Sequence, residues 1–249
     1  QVVEIEIVNR YVRGNIHLSK VDSEYPDNKL TGATFEVYKD SNATGNLDDG
    51  DELLGTLTEK EIGEYSMNDL FYGRYFVKET KAPEGFVLDT GVYEVMIDTN
   101  GKTYKVENKA GVGFVNDAMR GNLKIIKTSS DGKVKGFAFR IIGANGYDII
   151  LETNDKGEIF IDGLRIGDYT ISEVSNSASS MYVIPADKKA TVKIGFTTIV
   201  EMHNVLRDTP KTGDTTNLPL LYALAGLSAV GIAVCGVIGF KKKKKEDRN

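Results

Sequence analysis

The chain has 249 residues, which is enough for one large or two small domains. Its 31 basic and 36 acidic residues give a net charge of −5, so it lacks the basic excess of a nucleic-acid-binding protein. A single cysteine excludes an intrachain disulfide, and one cysteine with two histidines leaves too few soft ligands for a zinc site.

The first residues of the chain have the pattern of a β-strand that ends a preceding domain. The chain begins at Gln1 without an initiator methionine or a signal peptide, so we expect a mature or truncated piece of a larger protein. Apolar residues alternate up to Asn9, which shares a strand face with Ile5 and Ile7. We interpret residues 1–13 as the last strand of a preceding domain.

Two blocks of sequence occur twice, which predicts two similar domains, 14–118 and 121–206. Asn9-x3-Arg13-Gly14-Asn15 recurs as Asn116-x3-Arg120-Gly121-Asn122, and Leu70-x2-Gly73-x-Tyr75-x-Val77-x-Glu79 recurs as Leu164-x2-Gly167-x-Tyr169-x-Ile171-x-Glu173. Within both domains the apolar residues have a period of two, with Gly, Asn and Asp clusters between the runs. This pattern predicts an all-β chain of short antiparallel strands, packed as tandem immunoglobulin-like sandwiches.

Each predicted domain has a lysine, a glutamate and an asparagine on the apolar face of a strand. By strand parity these are Lys20, Glu79 and Asn116 in the first domain and Lys127, Glu173 and Asn204 in the second. Burial lowers the pKa of a lysine and raises that of a glutamic acid, which favours a neutral amine beside a protonated acid. Such a pair could join the amine to the asparagine side chain with loss of ammonia. The alternative is that these side chains lie at sheet ends with their polar heads in water.

The first domain also contains an acidic loop, residues 40–51, that the second domain lacks. Its oxygen-bearing residues follow the spacing of a twelve-residue calcium loop, although position 12 is Asp instead of Glu. The candidate ligands are Asp40, Asn42, Thr44, Asn46, Asp48 and Asp51. Calcium is one interpretation and a plain hairpin connector is the other; no cofactor is expected to be required.

The C-terminal end predicts a membrane-inserted segment. Residues 218–240 contain no charge and would span about 34 Å as a helix, enough to cross a bilayer. Five lysines follow at once in the tail 241–249. By the positive-inside rule the tail lies in the cytoplasm and the body of the chain lies outside.

The linker 207–217 contains the motif Thr209-Pro210-Lys211-Thr212-Gly213. A Pro-x-Thr-Gly motif, an apolar span and a short basic tail, in this order, resemble the wall-sorting signal of Gram-positive surface proteins. The resemblance implies that a sortase cleaves a membrane-inserted precursor between Thr212 and Gly213 and joins it to cell-wall peptidoglycan or to a pilin. Thr209 stands where that family usually has Leu, which leaves the sortase class open. Alternatively, the motif is an ordinary linker before a permanent membrane anchor.

The first domain resembles collagen-adhesin B-type, or SpaA-like pilin, domains. The residues that carry the resemblance are Ser19-Lys20-Val21-Asp22, Gly32-Ala33-Thr34-Phe35-Glu36-Val37, Glu79-Thr80-Lys81-Ala82-Pro83-Glu84-Gly85-Phe86 and Val115-Asn116. The second domain is similar but lacks the Ala-Pro-x-Gly turn after Glu173. The resemblance implies prealbumin-like sandwiches with isopeptide bonds Lys20–Asn116 and Lys127–Asn204, catalysed by Glu79 and Glu173, and a bond from Asn9 to a missing upstream domain.

These observations predict a stalk or adhesin segment anchored in the cell wall at the surface of a Gram-positive cell. The expected partners are a sortase, peptidoglycan and either a host or environmental ligand or other pilins, while the alternative is a pilus subunit. The lysine–asparagine reaction is a single-turnover self-modification, so we expect no enzyme activity.

Overall fold

The computed structural model describes residues 9–208, which fold into two β-sandwiches in tandem. Every regular element in that range is a β-strand, so the prediction of tandem all-β sandwiches is confirmed. Between residues 9 and 208 no helix is long and apolar enough to cross a membrane. The predicted transmembrane helix 218–240 and the tail 241–249 lie outside the described residues.

The first sandwich packs two sheets face to face. Its strands are β1 (Arg13–Asp22), β2 (Thr34–Lys39), β3 (Glu52–Thr56), β4 (Thr58–Glu61), β5 (Glu64–Phe71), β6 (Gly73–Lys81), β7 (Val92–Ile97), β8 (Thr103–Lys105) and β9 (Phe114–Asn116). One sheet has the order β4-β5-β1-β8, with β9 also paired to β1, and the other has the order β3-β2-β6-β7. Residues 9–12 precede β1 without forming a strand, and Asn9 is exposed.

The second sandwich repeats this plan with fewer strands. These are β10 (Arg120–Ser129), β11 (Ala138–Ile142), β12 (Asp148–Glu152), β13 (Glu158–Arg165), β14 (Gly167–Val174), β15 (Tyr182–Val183), β16 (Lys188–Val192) and β17 (Thr197–Leu206). The sheets have the orders β13-β10-β17-β15 and β12-β11-β14-β16. Each sandwich has its own apolar core, filled by the inward side chains that the period of two predicts.

The first and last strands of each sandwich are parallel neighbours, an exception to the antiparallel strands that the sequence pattern predicts. β10 pairs with β17 from Asn122↔Thr197 to Ser129↔Asn204. In the first sandwich the partner of β1 is divided, because β8 pairs with residues 15–17 and β9 with residues 20–22. Parallel neighbours need a crossover instead of a tight hairpin, and β8 and β17 each follow a strand of the opposite sheet.

The repeated Arg-Gly-Asn block lies where the first strand of each sandwich is bulged. The register of β1 shifts after Gly14, and that of β10 shifts after Gly121. A Cβ at Gly121 would stand 2.0 Å from the carbonyl oxygen of Lys193, so the neighbouring chain leaves no room for a side chain. The repeat therefore records a close backbone approach at the same place in both domains.

The repeated Gly-x-Tyr block fixes a hairpin in each domain. The Tyr75 hydroxyl donates a hydrogen bond to the Phe71 carbonyl (2.8 Å), and the Tyr169 hydroxyl donates one to the Arg165 carbonyl (2.9 Å). Both rings are buried in the cores. Each tyrosine thus packs its ring inside and ties its hydroxyl to the turn that precedes its own strand.

The two sandwiches belong to one compact unit that ends at Leu206, and a guanidinium connects them. Arg165 of the second sandwich donates to both carboxylate oxygens of Asp22 (2.6 and 2.8 Å) and to Glu24 (2.7 and 3.0 Å). The connecting residue Met119 donates to Gly85 of the first sandwich and accepts from Ile166 of the second. The joint is therefore held by main-chain bonds and by a bidentate ion pair, the strongest geometry for such a pair.

Candidate functional site

Lys20, Glu79 and Asn116 are brought together at one end of the first core. Lys20 is on β1, Asn116 on the neighbouring parallel strand β9, and Glu79 on β6 of the facing sheet. Lys20 lies opposite Phe114 and Asp22 lies opposite Asn116 in the register. The three residues are 0%, 0% and 3% exposed. The polar heads are therefore inside the protein and not at a wet sheet end.

The amide of Asn116 is bonded directly to the carboxyl group of Glu79. Its Nδ2 atom lies 3.0 Å from Oε1 and 2.9 Å from Oε2. The Lys20 Nζ atom donates to the Phe114 carbonyl at 3.1 Å and lies 5.6 Å from the centre of the Phe114 ring. Among the described residues, the buried Oδ1 atom of Asn116 has no hydrogen-bond partner. The geometry thus leaves the oxygen of a carboxamide unsatisfied while its nitrogen contacts the acid.

Burial shifts the protonation of both Lys20 and Glu79. Desolvation lowers the pKa of Lys20 to about 8, against the attraction of Glu79. Desolvation also raises the pKa of Glu79, against hydrogen bonds from the Asp89 main chain and Asn116. Both shifts favour the uncharged forms, so a neutral amine and a protonated acid coexist here more readily than in water.

The second sandwich holds Lys127, Glu173 and Asn204 in the same arrangement. Lys127 lies opposite Met202, and Asn204 follows two residues later on the parallel strand β17. The Asn204 Nδ2 atom donates to Glu173 Oε1 at 2.6 Å. Lys127 donates to the Thr128 carbonyl, and its Nζ atom lies 4.1 Å from the centre of the Phe137 ring. Desolvation lowers the pKa of Lys127 and raises that of Glu173.

The two sites differ in how the glutamate is held. In the first, Glu79 Oε2 accepts a further hydrogen bond from the main-chain N–H of Asp89 (2.8 Å). In the second, Glu173 Oε2 is buried and has no partner within residues 9–208. Asp89 could not be predicted from the sequence, because a main-chain donor carries no signal in residue type. The rings of Phe114 and Phe137 lie near the two lysines, but in the sequence nothing distinguishes them from other apolar strand residues.

The acidic loop 40–51 closes on itself through its own hydrogen bonds. Asp48 accepts from Asn42, Thr44 and the main chain of Gly50, and Asp51 accepts from the main chain of Ser41 and Asp48. Asp40 accepts from Gly45 and pairs with Arg74, while its second oxygen is buried without a partner in the described structure. Asn46 contributes its carbonyl as an acceptor for Thr44. In residues 9–208 no group of three or more His, Cys, Asp or Glu is arranged to hold a metal. Calcium binding through the carboxylate, amide and hydroxyl oxygens of this loop stays a prediction.

The remaining predicted sites lie at or beyond the ends of the described residues, 9–208. The motif Thr209 to Gly213 lies outside the described residues, so its role as a sorting signal stays a prediction. Asn9 is the first described residue and is exposed outside any strand, so its bond to an upstream domain also stays a prediction.

Comparison with known proteins gives the same family for both sandwiches. The family described as SpaA, prealbumin-like fold domain, matches residues 14–110 and 121–205. The trypsin-resistant surface T6 protein of Streptococcus pyogenes serotype M6 is 26% identical over 231 residues, 92% of this chain and 37% of that protein. The Bacillus anthracis TIE protein is 25% identical with a TM-score of 0.59, covering 78% of this chain and 34% of that one. The chain therefore spans only about a third of the length of these two relatives.

Proposed function

Because the chain belongs to the SpaA family of prealbumin-like fold domains, we propose that it is a self-cross-linked stalk segment of a cell-wall-anchored surface protein. The observation that carries this proposal is the pair of buried lysine–glutamate–asparagine groups, which recur with the same register offset in both sandwiches. Burying an ionisable group costs free energy unless it is paired or neutralised, and such groups cluster at functional sites. Two copies in one chain indicate that the purpose belongs to the domain type.

The proposed reaction joins Lys20 to Asn116 and Lys127 to Asn204. The neutral amine attacks the carboxamide carbon, while the protonated glutamic acid polarises the carboxamide oxygen. A bond then forms between Nζ and the carbon, and the bond from that carbon to Nδ2 breaks. The glutamate moves one proton from the amine to the departing nitrogen, which leaves as ammonia. An amide remains, and the glutamic acid regains its starting form.

The C-terminal sequence supplies the proposed attachment to the wall. Residues 218–240 and the basic tail would hold a membrane-inserted precursor with the sandwiches outside the cell. A sortase would cut between Thr212 and Gly213 and transfer the new carboxyl group to an amine of peptidoglycan. The cross-linked sandwiches then hold the segments N-terminal to them away from the wall, and any adhesive ligand binds there.

A pilus subunit is the second candidate function, and the family assignment favours keeping it. It would require the sortase to join Thr212 to a lysine of another subunit instead of peptidoglycan. A denaturing gel of wall extract distinguishes the two candidates, since polymerisation gives a ladder of high-mass species. A single band that carries peptidoglycan fragments at Thr212 supports the wall-anchored stalk.

Intact-mass spectrometry tests the cross-links. The segment that the structure describes should be lighter than its sequence mass by two ammonia molecules, one for each sandwich. Glu79→Ala and Glu173→Ala should each restore one ammonia, and the double variant should restore both. A wild-type mass equal to that of the unmodified sequence would sink the proposal.

A further inference from the structure

Asp89 and Asn108 form a hydrogen-bond network beside the first site. Asp89 lies between β6 and β7, and Asn108 lies in the loop between β8 and β9. The Asp89 carboxylate accepts hydrogen bonds from the Asn108 side chain (2.6 Å), the Tyr93 hydroxyl (2.8 Å) and the Gly91 main chain (2.6 Å). Three donors from separate positions fix the place of Asp89.

This network contacts both sides of the proposed reaction. The main-chain N–H of Asp89 donates to Glu79 Oε2 at 2.8 Å. The Asn108 side chain bonds both main-chain groups of Val115, accepting from its N–H (2.6 Å) and donating to its carbonyl (2.8 Å). Val115 immediately precedes Asn116. Asp89 and Asn108 therefore connect Glu79 to the strand that carries Asn116.

The main-chain N–H decides which oxygen of Glu79 carries the proton. In a neutral carboxylic acid one oxygen carries the proton and donates it, and the carbonyl oxygen is the better acceptor. Both oxygens of Glu79 reach the Asn116 amide, so either could hold the proton. Because Oε2 accepts from Asp89, the proton belongs on Oε1. With the Asn116 amide turned so that its oxygen faces Glu79, Oε1 donates to the atom that must be polarised.

We propose that Asp89 and Asn108 are positioning residues that fix the protonated oxygen of Glu79 against Asn116, so that the first cross-link forms faster than the second. This inference rests on the proposed function. The second site provides the contrast, since Glu173 Oε2 has no partner among the described residues. A cavity of about 170 Å³, lined in part by Asp89, Asn108 and Asn116, gives the departing ammonia a place to go.

The rates of both cross-links are measured in the same molecule. The full chain is synthesised without cells, samples are quenched in denaturant at timed intervals, and peptide mapping gives the fraction joined at each site. In the wild type the first bond should form before the second. Asn108→Ala should slow the first bond about ten- to a hundredfold, the effect of losing a hydrogen bond to a charged group, here the Asp89 carboxylate, and leave the second unchanged.

A matched variant separates positioning from folding. Asn15→Ala also removes a side chain that bonds to the main chain of the first sandwich, but at the other end of β1. It should lower the melting temperature without slowing the bond. If Asn108→Ala does not fold, Tyr93→Phe removes one donor to Asp89 and should slow the first bond about twofold to fivefold.

A spectroscopic readout excludes a merely structural role. In a Lys20→Met background, which cannot react, adding Asn108→Ala should raise the titration midpoint of the Glu79 carboxyl carbon, since the Asp89 N–H holds the pKa of Glu79 down. Asn15→Ala should not move it. Folded Asn108→Ala protein that joins Lys20 to Asn116 at the wild-type rate would overturn this inference and leave the proposed function intact. A wild-type chain that forms neither bond would overturn both.

Discussion

Lys20 and Asn116 lie on neighbouring parallel strands, two residues apart in register, with Lys20 opposite Phe114 and Asn116 opposite Asp22. Lys127 and Asn204 have the same offset, with Met202 and Ser129 as the opposing residues. In both pairs the two side chains project from the same sheet face into the core, as strand parity requires. The lysine and the asparagine of each sandwich thus share one face of neighbouring strands, which is the placement that the proposed bond requires.

The first expected consequence concerns thermal stability. Lys20→Met keeps most of the buried volume but removes the amine, so the loop from Lys20 to Asn116 can no longer be closed covalently. By analogy with a disulfide that closes a loop of this length, the loss is about 4.5 kcal/mol. Calorimetry should show the transition of the first sandwich lowered by roughly 20 °C or more. Lys60→Met, an exposed lysine of the same sandwich, should change it little, and equal melting of all three proteins would contradict the bond.

The second prediction concerns force. Tension that enters at β1 and leaves at β9 passes through the proposed bond and bypasses every strand between them. Single-molecule pulling should therefore show no unfolding step for either sandwich. Lys20→Met should release one step, from the first sandwich alone, and Lys127→Met should release one from the second. A wild-type step that frees the chain between Lys20 and Asn116 would refute the proposed bond and with it the role as a cross-linked stalk.

The third prediction concerns the pH dependence of the first cross-link. The rate follows the product of two fractions, neutral Lys20 and protonated Glu79. Between their pKa values, a rise in pH gains neutral amine as fast as it loses protonated acid, so the rate is flat. Above the Lys20 pKa of about 8 the amine is already neutral and the rate falls, by up to tenfold per pH unit.

The acid limb of the same profile has the opposite origin. Below the raised pKa of Glu79 the acid is fully protonated. Lowering the pH further then slows the reaction, because more of Lys20 becomes protonated. Timed quenching of newly refolded chain across a pH series measures both limbs. A rate that rises up to about pH 8 and then stays level would show that protonated Glu79 is not required.

The burial of Lys20 and Glu79 could be predicted from the sequence, because it depends on a local pattern of apolar residues. Alternation along β1 and β6 was enough to place Lys20 and Glu79 inside, since strand parity depends only on neighbouring residues. The parallel pairing of first and last strands and the division of the last strand into β8 and β9 depend on contacts between residues 75 to 94 apart. No local pattern encodes such pairings. The same limit hid Asp89, whose contact with Glu79 uses its main chain.

The joint between the sandwiches was also invisible in the sequence, and it yields the fourth prediction. Asp22 is 2% exposed and its carboxylate is paired with Arg165. Arg165→Met leaves that charge buried and unpaired, which should cost about 3–5 kcal/mol. Arg140→Met, which breaks the exposed pair with Asp148, should cost less than about 1 kcal/mol. Chemical denaturation measures both, and adding Asp22→Asn to Arg165→Met should recover part of the loss.

The most direct test of the account is peptide mapping of the protein purified from cells under denaturing conditions. Two branched peptides are expected in each molecule, one joining Lys20 to Asn116 and one joining Lys127 to Asn204, each lacking one ammonia. Glu79→Ala should abolish the first and spare the second. Recovery of the linear peptides that contain Lys20, Asn116, Lys127 and Asn204, all with unmodified masses, would contradict the account.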